Sequence, residues 1–245
     1  MEKDINNKHT MNTKTSTLNL NWPELLILVR HGESEGNKYG RQHMSKVLKK
    51  PSHAFSLTEL GASQAKQAGD NLHARFDLTS FDAYFASTYS RSQETFELMF
   101  RGRKKMGHQI TPIIDARINE ITRGYASLIS DEEIFAKHPQ EMETLKLNGW
   151  FHNIPLCGQS CVQIEHIIQS FLSFLREACG GKKVIVVGHG TWINLCCRIL
   201  ANKPIIEAER LHAEGYYINC GATIFKRNPE TGCLVLAEEN TKTWE

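Results

Sequence analysis

Arg30 and His31 stand side by side directly after an apolar run, Leu25–Val29. Such a run is typical of a strand that is buried on both faces of a parallel sheet. In open α/β sheets, ligands bind in the crevice at the carboxyl ends of the strands. A permanent cation and an imidazole at that edge indicate a site that holds an anion and attacks it with a nitrogen nucleophile.

A second histidine, His189, follows a second apolar run at 184–187. Residues 192–200 have an apolar helical pattern, so His189 and Gly190 lie at a predicted strand-to-helix turn. The unpaired N–H groups at a helix N-terminus favour a bound anion, and a glycine lets the backbone approach that anion closely. The two strand-terminal histidines therefore predict one anion site.

A second cation, Arg91, follows a strand predicted at 82–87. The residues Ser90–Gln93 have the capping-box pattern and predict a helix that ends near Phe100. Arg91 then lies in the first helical turn, where the helix dipole favours an acid over a cation. The position suits a cation that shares an anion with the helix end.

An acid is supplied by a fourth segment. Residues 110–114 predict a strand, and Glu120 follows in a loop. Transfer of a phosphoryl group to a histidine requires a proton for the leaving oxygen, which a carboxylic acid can supply. Glu120 is therefore the candidate general acid.

Six blocks of the sequence, in this order, resemble the histidine phosphatase superfamily, which includes the cofactor-dependent phosphoglycerate mutases. The resemblance spans about 25–200, and its blocks are Arg30-His31-Gly32-Glu33-Ser34 with Asn37, Leu57-Thr58-Glu59-Leu60-Gly61 with Gln64-Ala65, Ser87–Thr95, Arg117-Ile118-Asn119-Glu120, Gly158-Gln159-Ser160 and Gly188-His189-Gly190.

The resemblance implies a role for each candidate residue. His31 is the nucleophile that becomes a phosphohistidine, and Glu120 protonates the leaving oxygen and then activates water. The groups that bind the phosphoryl oxygens are Arg30, Arg91, His189, Asn37 and the backbone amide of Gly190. Two guanidinium groups and a second imidazole can carry the charge of the transferring group, so neither a metal nor another cofactor is expected. The attacking nitrogen of His31 must be unprotonated, so its other nitrogen is expected to donate to a backbone carbonyl.

Water is the expected final acceptor of the phosphoryl group. The mutases carry a tryptophan where this chain has Gly36, and residues 121–125 keep only part of the mutases' basic and aromatic cluster. These departures favour a phosphatase that acts on a small phosphorylated metabolite or a phosphoprotein. A mutase, which needs a bisphosphorylated primer to load His31, is the alternative. An inactive binding protein is a third hypothesis, but it has no need of the full residue set.

The order of strands and helices predicts the architecture. Strands alternate with helices, so we expect a three-layer α/β/α domain with a doubly wound, mostly parallel sheet. Helices are predicted at 58–75 and 160–178, with capping boxes beginning at Ser160 and Ser130. The chain is expected to close with a hairpin of strands at 221–226 and 233–237. Residues 1–22 are polar and predict a flexible extension ahead of a single domain at 23–245.

Composition bounds the partners and the compartment. The net charge of +2 gives no reason to expect nucleic acid or membrane binding, and no apolar run reaches the ~20 residues that span a bilayer. Seven cysteines, an odd number, predict reduced thiols and a cytoplasmic location. Cys157 and Cys161 with His152 and His166 match no closed zinc pattern, so no metal site is expected. The sequence does not indicate an oligomeric state.

Two variable stretches are the candidates for substrate choice. Residues 38–55 are basic, and they form either a solvated loop or a rim that steers a charged ester. Residues 123–151 are predicted to be helical. Their aromatic residues either cap the pocket or pack in the core, and these are Tyr125, Phe135, Trp150 and Phe151.

Overall fold

The protein is built around a six-stranded mixed sheet. The computed structural model describes residues 21–39, 50–127 and 131–245. In chain order, the strands of this sheet are Leu25–Arg30 (β1), Ala83–Ala86 (β2), Ile113–Ile114 (β5), Lys183–Gly188 (β6), Gly221–Arg227 (β7) and Leu234–Lys242 (β8). A separate two-stranded sheet, which the sequence did not predict, pairs Lys104–Lys105 (β3) with His108–Gln109 (β4).

The strand order is β5-β2-β6-β1-β7-β8. The first four of these strands run parallel, whereas β7 is antiparallel to β1 and β8 is antiparallel to β7. This order confirms the doubly wound, mostly parallel sheet and the closing hairpin. The hairpin strands extend beyond their predicted ends, to Arg227 and Lys242.

The apolar strands β1 and β6 are covered on both faces. Alternate residues point to opposite faces of a strand, so Leu26 and Leu28 enter one hydrophobic core and Ile27 and Val29 enter the other. Burial on both faces explains why the sequence shows continuous apolar runs here and no polar alternation.

Seven helices of the described chain are named by their bounds. They are Glu59–Phe76 (α1), Ser90–Met99 (α2), Asp131–Lys137 (α3), Pro139–His152 (α4), Cys161–Ala178 (α5), Gly190–Leu200 (α6) and Ile205–Ala213 (α7). Residues 35–39 are also helical. The capping box beginning at Ser160 is confirmed, since its hydroxyl accepts from the Gln163 amide and the Gln163 side chain accepts from the Ser160 amide. The one predicted at Ser130 lies outside the described residues.

Two local predictions are wrong. The capping box beginning at Ser90 does not form, because α2 begins at Ser90 itself and Tyr89 occupies the cap position without a side-chain cap. The strand predicted at 110–114 pairs only at Ile113–Ile114. Pro112 lies directly before this pair and has no N–H to donate, so the ladder starts after it.

The N-terminal region and the basic stretch are described only in part. The predicted extension 1–22 lies outside the described residues except for its last two, and Trp22 lies against the Arg176 guanidinium, 5.2 Å from ring centre to carbon. Residues 40–49 of the basic stretch also lie outside the described residues, and they include its basic residues at 41, 43, 46 and 49. Within the part of the chain that is described, no helix is both long and apolar enough to cross a bilayer.

Candidate active site

The carboxyl ends of β1, β2 and β6 meet at one edge of the sheet. Arg30 ends β1 and His31 follows it, Ser87 follows β2, and His189 follows β6. A cavity of about 510 Å³ opens at this edge. Its lining includes Arg30, His31, Asn37, Arg91, Glu120 and Gly190. The fifth phosphoryl-binding candidate, His189, is fully buried beside it, with its ring centre 5.2 Å from that of His31.

His31 is held in one tautomer. Its Nδ1 lies 2.7 Å from the carbonyl oxygen of Gly32, to which it donates, as the sequence predicts. Its Nε2 accepts a hydrogen bond of 3.0 Å from Nε of Arg91, so this nitrogen carries the lone pair. Burial, the Arg91 charge and the Arg30 charge together hold the pKa of His31 well below its ordinary value of 6.5. The imidazole is therefore neutral at physiological pH, as a nucleophile must be.

Arg91 is fixed by its surroundings on three sides. Its Nη1 donates to the carbonyl oxygen of Ser52 at 2.7 Å, and its guanidinium lies 4.8 Å from the ring centre of Tyr89. Its own carbonyl accepts from the Thr95 hydroxyl, which in turn accepts from the amide of Gly32. Burial lowers the pKa of Arg91 to about 10, so the side chain stays cationic at neutral pH.

Two nitrogens at the bottom of the site have no partner among the described residues. They are Nε of Arg30 and Nδ1 of His189, and both are buried. Buried polar groups are nearly always hydrogen-bonded, and leaving one unpaired costs about 1–3 kcal/mol. A tetrahedral anion placed between the two histidines would give both nitrogens an oxygen to bind.

Glu120 lies in a loop, as predicted, and this loop runs beside the first turn of α6. One carboxylate oxygen accepts from the amide of Thr191 at 3.2 Å, and the other accepts from the amide of Ile121 at 3.0 Å. The positive end of the helix dipole favours an acid at this position. Both bonds orient the carboxyl group at the wall of the cavity.

Asn37 and Gly190 complete the predicted set. The Asn37 side-chain oxygen accepts from the amide of Ser34 at 3.1 Å and from its hydroxyl at 2.9 Å, which leaves the NH₂ group as the donor for an anion. Gly190 begins α6, and a Cβ there would lie 3.3 Å from Nε of Arg30. The glycine therefore lets the helix N-terminus and the guanidinium lie side by side.

A loop after α7 supports Arg30 and His31 from behind, and the sequence analysis missed it. The carbonyl of Tyr217 accepts from Nη1 of Arg30, and Nδ2 of Asn219 donates to the carbonyl of His31 at 2.9 Å. The amide of Cys220 donates to the carbonyl of Arg30 at 3.0 Å. Most of these contacts use backbone atoms, which leave no signature in residue types.

Side chains of β8, and of Thr243 directly after it, form hydrogen bonds with this loop. Glu239 accepts from the Tyr217 hydroxyl at 2.6 Å, and Oδ1 of Asn240 accepts from the amide of Ile218 at 2.9 Å. The hydroxyl of Thr243 donates to the carbonyl of Cys220 at 2.5 Å. The closing hairpin thereby supports the edge of the sheet that carries Arg30 and His31, a role that the sequence did not suggest.

The outer part of the cavity is formed by the stretch predicted at 123–151. This stretch is two helices, α3 and α4, after a short 3₁₀ turn, and α4 is kinked at Gly149, where φ is 65°. Phe135 and Trp150 line the cavity, and Trp150 also packs against the hydrophobic core. Phe151 instead packs in the core, and Tyr125 is not among the lining residues.

The described ends of the basic stretch include a paired lysine. Lys50 forms an ion pair of 2.5 Å with Glu35, while Ser52 and Phe55 line the cavity.

In the described ranges, no group of three or more His, Cys, Asp or Glu side chains is arranged to hold a metal ion. All seven cysteines are free thiols, and five of them are buried.

The fold and the site define an α/β protein with a pair of buried histidines beside a cavity at the ends of its parallel strands. A model of the histidine phosphatase superfamily (branch 1) matches residues 26–240, and the chain therefore belongs to that superfamily.

Relatives by sequence carry the name of a mutase. A 2,3-bisphosphoglycerate-dependent phosphoglycerate mutase of Nitrobacter winogradskyi is 36% identical over 210 residues, which cover 82% of this chain and 94% of the relative. A protein of the same name from Azorhizobium caulinodans is 26% identical over 217 residues, with coverage of 86% and 90%.

Similar solved structures carry the names of phosphatases. The alpha-ribazole phosphatase of Shigella flexneri has a TM-score of 0.67 at 22% identity and covers 90% of this chain and 98% of its own. The phosphoserine phosphatase of Entamoeba histolytica, in complex with 3-phosphoglyceric acid, has a TM-score of 0.65 at 21% identity, with coverage of 89% and 96%. At these identities the structures bear on the fold alone.

Proposed function

We propose that this protein is a phosphatase that hydrolyses a phosphomonoester through a phosphohistidine on His31. The observation that carries the proposal is the state of His31: a buried, neutral imidazole whose Nε2 lone pair meets the Arg91 guanidinium at 3.0 Å. An oxyanion that displaces this contact would present its phosphorus to Nε2 and its oxygens to Arg91 and Arg30. Positioning and charge stabilisation of this kind are the main requirements for phosphoryl transfer.

In the first step, Nε2 of His31 attacks phosphorus and the bond between phosphorus and the ester oxygen breaks. The leaving alkoxide takes a proton from the carboxylic acid of Glu120, which is left as a carboxylate. The charge on the three transferring oxygens is carried by the groups that the resemblance assigns to them, namely Arg30, Arg91, His189, Asn37 and the amide of Gly190.

In the second step, the Glu120 carboxylate takes a proton from water while the water oxygen attacks phosphorus. The bond between phosphorus and His31 breaks, inorganic phosphate leaves, and Glu120 is again protonated. The same carboxyl group therefore serves both half-reactions, and the cycle closes without any other proton donor.

Two features of the cavity support water as the acceptor. Gly36 lines the cavity without a side chain, where the mutases of the resemblance carry a tryptophan. Among the described residues of the outer part, the cationic and imidazole side chains that line the cavity are Arg123 and His212. These described residues therefore offer few charge-assisted hydrogen bonds to the second phosphate of a bisphosphorylated primer.

A mutase is the second candidate, and the 36% identical relative from Nitrobacter winogradskyi favours it.

The proposed substrate is a small phosphorylated metabolite, for which a cavity of about 510 Å³ is large enough. A phosphoprotein is the alternative substrate class. The free thiols support a reducing compartment, and we propose the cytoplasm.

The deciding experiment incubates the protein with a panel of phosphorylated metabolites that includes 3-phosphoglycerate, with and without 2,3-bisphosphoglycerate. Free phosphate and isomerised product are measured in the same samples. A phosphatase releases phosphate without the primer, whereas a mutase yields isomer only with it. No product from the panel or from p-nitrophenyl phosphate between pH 5 and 8 would instead favour the inactive binding protein.

A further inference from the structure

A chain of hydrogen bonds fixes the protons around His189, and it begins at Asn119. The side-chain oxygen of Asn119 lies 3.1 Å from the amide nitrogen of Thr88, which can only donate. The atom facing Thr88 is therefore the amide oxygen and not the NH₂ group. The same oxygen lies 2.9 Å from the hydroxyl of Ser87, and because it can only accept, Ser87 must donate to it.

Ser87 has a single hydroxyl proton, and Asn119 takes it. The Ser87 oxygen also accepts from the amide of Tyr89 at 3.1 Å. Its remaining contact is with Nε2 of His189 at 2.8 Å. Since Ser87 has no second proton to give, Nε2 of His189 must be the donor in this bond.

This assignment leaves Nδ1 of neutral His189 without a proton. Nδ1 is the buried nitrogen that has no partner among the described residues. If His189 contacts a phosphoryl oxygen through a ring nitrogen, Nδ1 is the nitrogen available, because Nε2 is used by Ser87. A lone pair repels an anionic oxygen, whereas an N–H⁺ binds it.

We propose that Ser87 and Asn119 are positioning residues that hold His189 with Nδ1 unprotonated in the free enzyme, so that binding of a phosphoryl anion takes up one proton at Nδ1. The proton comes from solvent and returns to it when phosphate leaves. His189 therefore becomes a cation only while the anion is bound. The inference rests on the proposed function for the identity of the anion.

The charges around His189 support this coupling. Arg91 of α2, Arg30 at the end of β1 and His31 directly after it all face His189. The ring centre of Tyr89 lies 5.0 Å from that of His189. Burial, followed by Arg91, His31 and Arg30, lowers the pKa of His189 well below 6.5 in the empty site. A bound dianion offsets these positive charges, and protonation then becomes favourable.

The test uses tungstate, a tetrahedral dianion that is fully ionised at pH 8 and so brings no proton of its own. Titration calorimetry in two buffers of different ionisation enthalpy counts the protons taken up. We expect about one proton per tungstate for the natural protein, and by linkage an affinity that falls about tenfold per pH unit from pH 7 to 8.

Ser87→Ala is the informative variant. It frees Nε2, so neutral His189 can place its proton on Nδ1 and donate to the anion without gaining charge. The expected result is loss of the proton uptake and a nearly flat affinity between pH 7 and 8. Thr88→Ala is the matched control, because its hydroxyl bonds the same Asn119 oxygen at 2.9 Å but lies outside the contact between Ser87 and His189. It should behave like the natural protein.

Equal proton uptake in Ser87→Ala and Thr88→Ala would overturn the inference, as would tungstate binding without uptake by the natural protein. If Ser87→Ala does not fold, nitrogen-15 NMR of the natural protein gives the same answer. His189 should show an unprotonated Nδ1 in the free state and a protonated one with tungstate, and a protonated Nδ1 in the free state would contradict the inference. Phosphate release is assayed separately, so proton uptake without turnover of any phosphomonoester would refute the proposed function alone.

Discussion

The inner and outer parts of the cavity are built in different ways. The inner part is made from strand ends, and most of its side chains are tied to the backbone, as His31 is to Gly32 and Arg91 to Ser52. The outer part is made from side chains of α3, α4 and the region near α7, mostly apolar or aromatic. The difference shows that hydrogen bonds fix the geometry of the inner part, whereas the outer part offers mainly apolar shape, and under the proposed function the inner part carries the reaction and the outer part selects the leaving group.

The largest loss is expected from a change in the inner part, at the nucleophile. His31→Ala should abolish turnover of every substrate, because it removes the nitrogen nucleophile that the proposed mechanism requires. The protein should remain folded, which circular dichroism and thermal melting can check. Residual turnover at a substantial fraction of the natural rate would show that His31 is not the nucleophile.

A smaller loss of activity, selective for substrates with poor leaving groups, is expected from a change at Glu120. Glu120→Gln should slow the first step for alkyl phosphates by about 10²–10⁴-fold, the usual contribution of a general acid. The rate of that step with p-nitrophenyl phosphate should fall far less, since its leaving group needs no proton. Single-turnover release of the alcohol isolates this step from hydrolysis of the phosphohistidine.

Glu141→Gln is the control for this variant, because Glu141 also lines the cavity and accepts from the amide of Leu156. It should leave the ratio between the two substrate types unchanged. Equal losses on alkyl and nitrophenyl substrates in Glu120→Gln would remove Glu120 as the acid.

A change in the loop behind the inner part, at Asn219, should lower kcat/KM about tenfold. Asn219→Ala removes the bond from Nδ2 to the His31 carbonyl and a longer one, of 3.3 Å, to Asn37. A hydrogen bond of this kind contributes about 1–1.5 kcal/mol, and here we expect that energy to appear in kcat/KM. If the melting temperature falls while kcat/KM stays constant, the residue stabilises the fold without orienting His31.

The smallest effect is expected in the outer part. Leu145 lines the cavity on α4, and Leu147 on the same helix is 85% exposed and does not line it. Leu145→Ala should raise KM for substrates with bulky alcohols by about tenfold, the scale of a lost apolar contact, with little change for small ones. Leu147→Ala should change neither. A large fall in kcat from Leu145→Ala would mean that the two parts of the cavity are not separable.

The same division explains what could be predicted from the sequence. The strands β1 and β6 were predictable because a strand that is buried on both faces consists of continuous apolar residues. The ends of these two runs located Arg30, His31 and His189. Helix α5 was predictable from its cap at Ser160. The bonds from Tyr217 and Cys220 to Arg30 could not be foreseen, since backbone groups are the same in every residue.

Other misses have local causes. The residue pattern at Ser90 matches a capping box, but α2 begins one residue earlier, and the amide of the cap residue Tyr89 donates to the Ser87 hydroxyl two residues before it. Ser87 and Asn119 stood inside blocks of the family resemblance, yet their role depends on a contact between residues 102 positions apart. Such contacts follow from the packing of β2 beside β6, which no single segment specifies.

The most direct measurement is identification of the covalent intermediate. The protein is mixed with a phosphorus-32 phosphomonoester that it turns over, quenched in alkali within milliseconds and digested for mass spectrometry. We predict label on Nε2 of His31, stable to base and labile to acid, and none in His31→Ala. Turnover without a labelled protein, or label on a residue other than His31, would contradict the proposed mechanism.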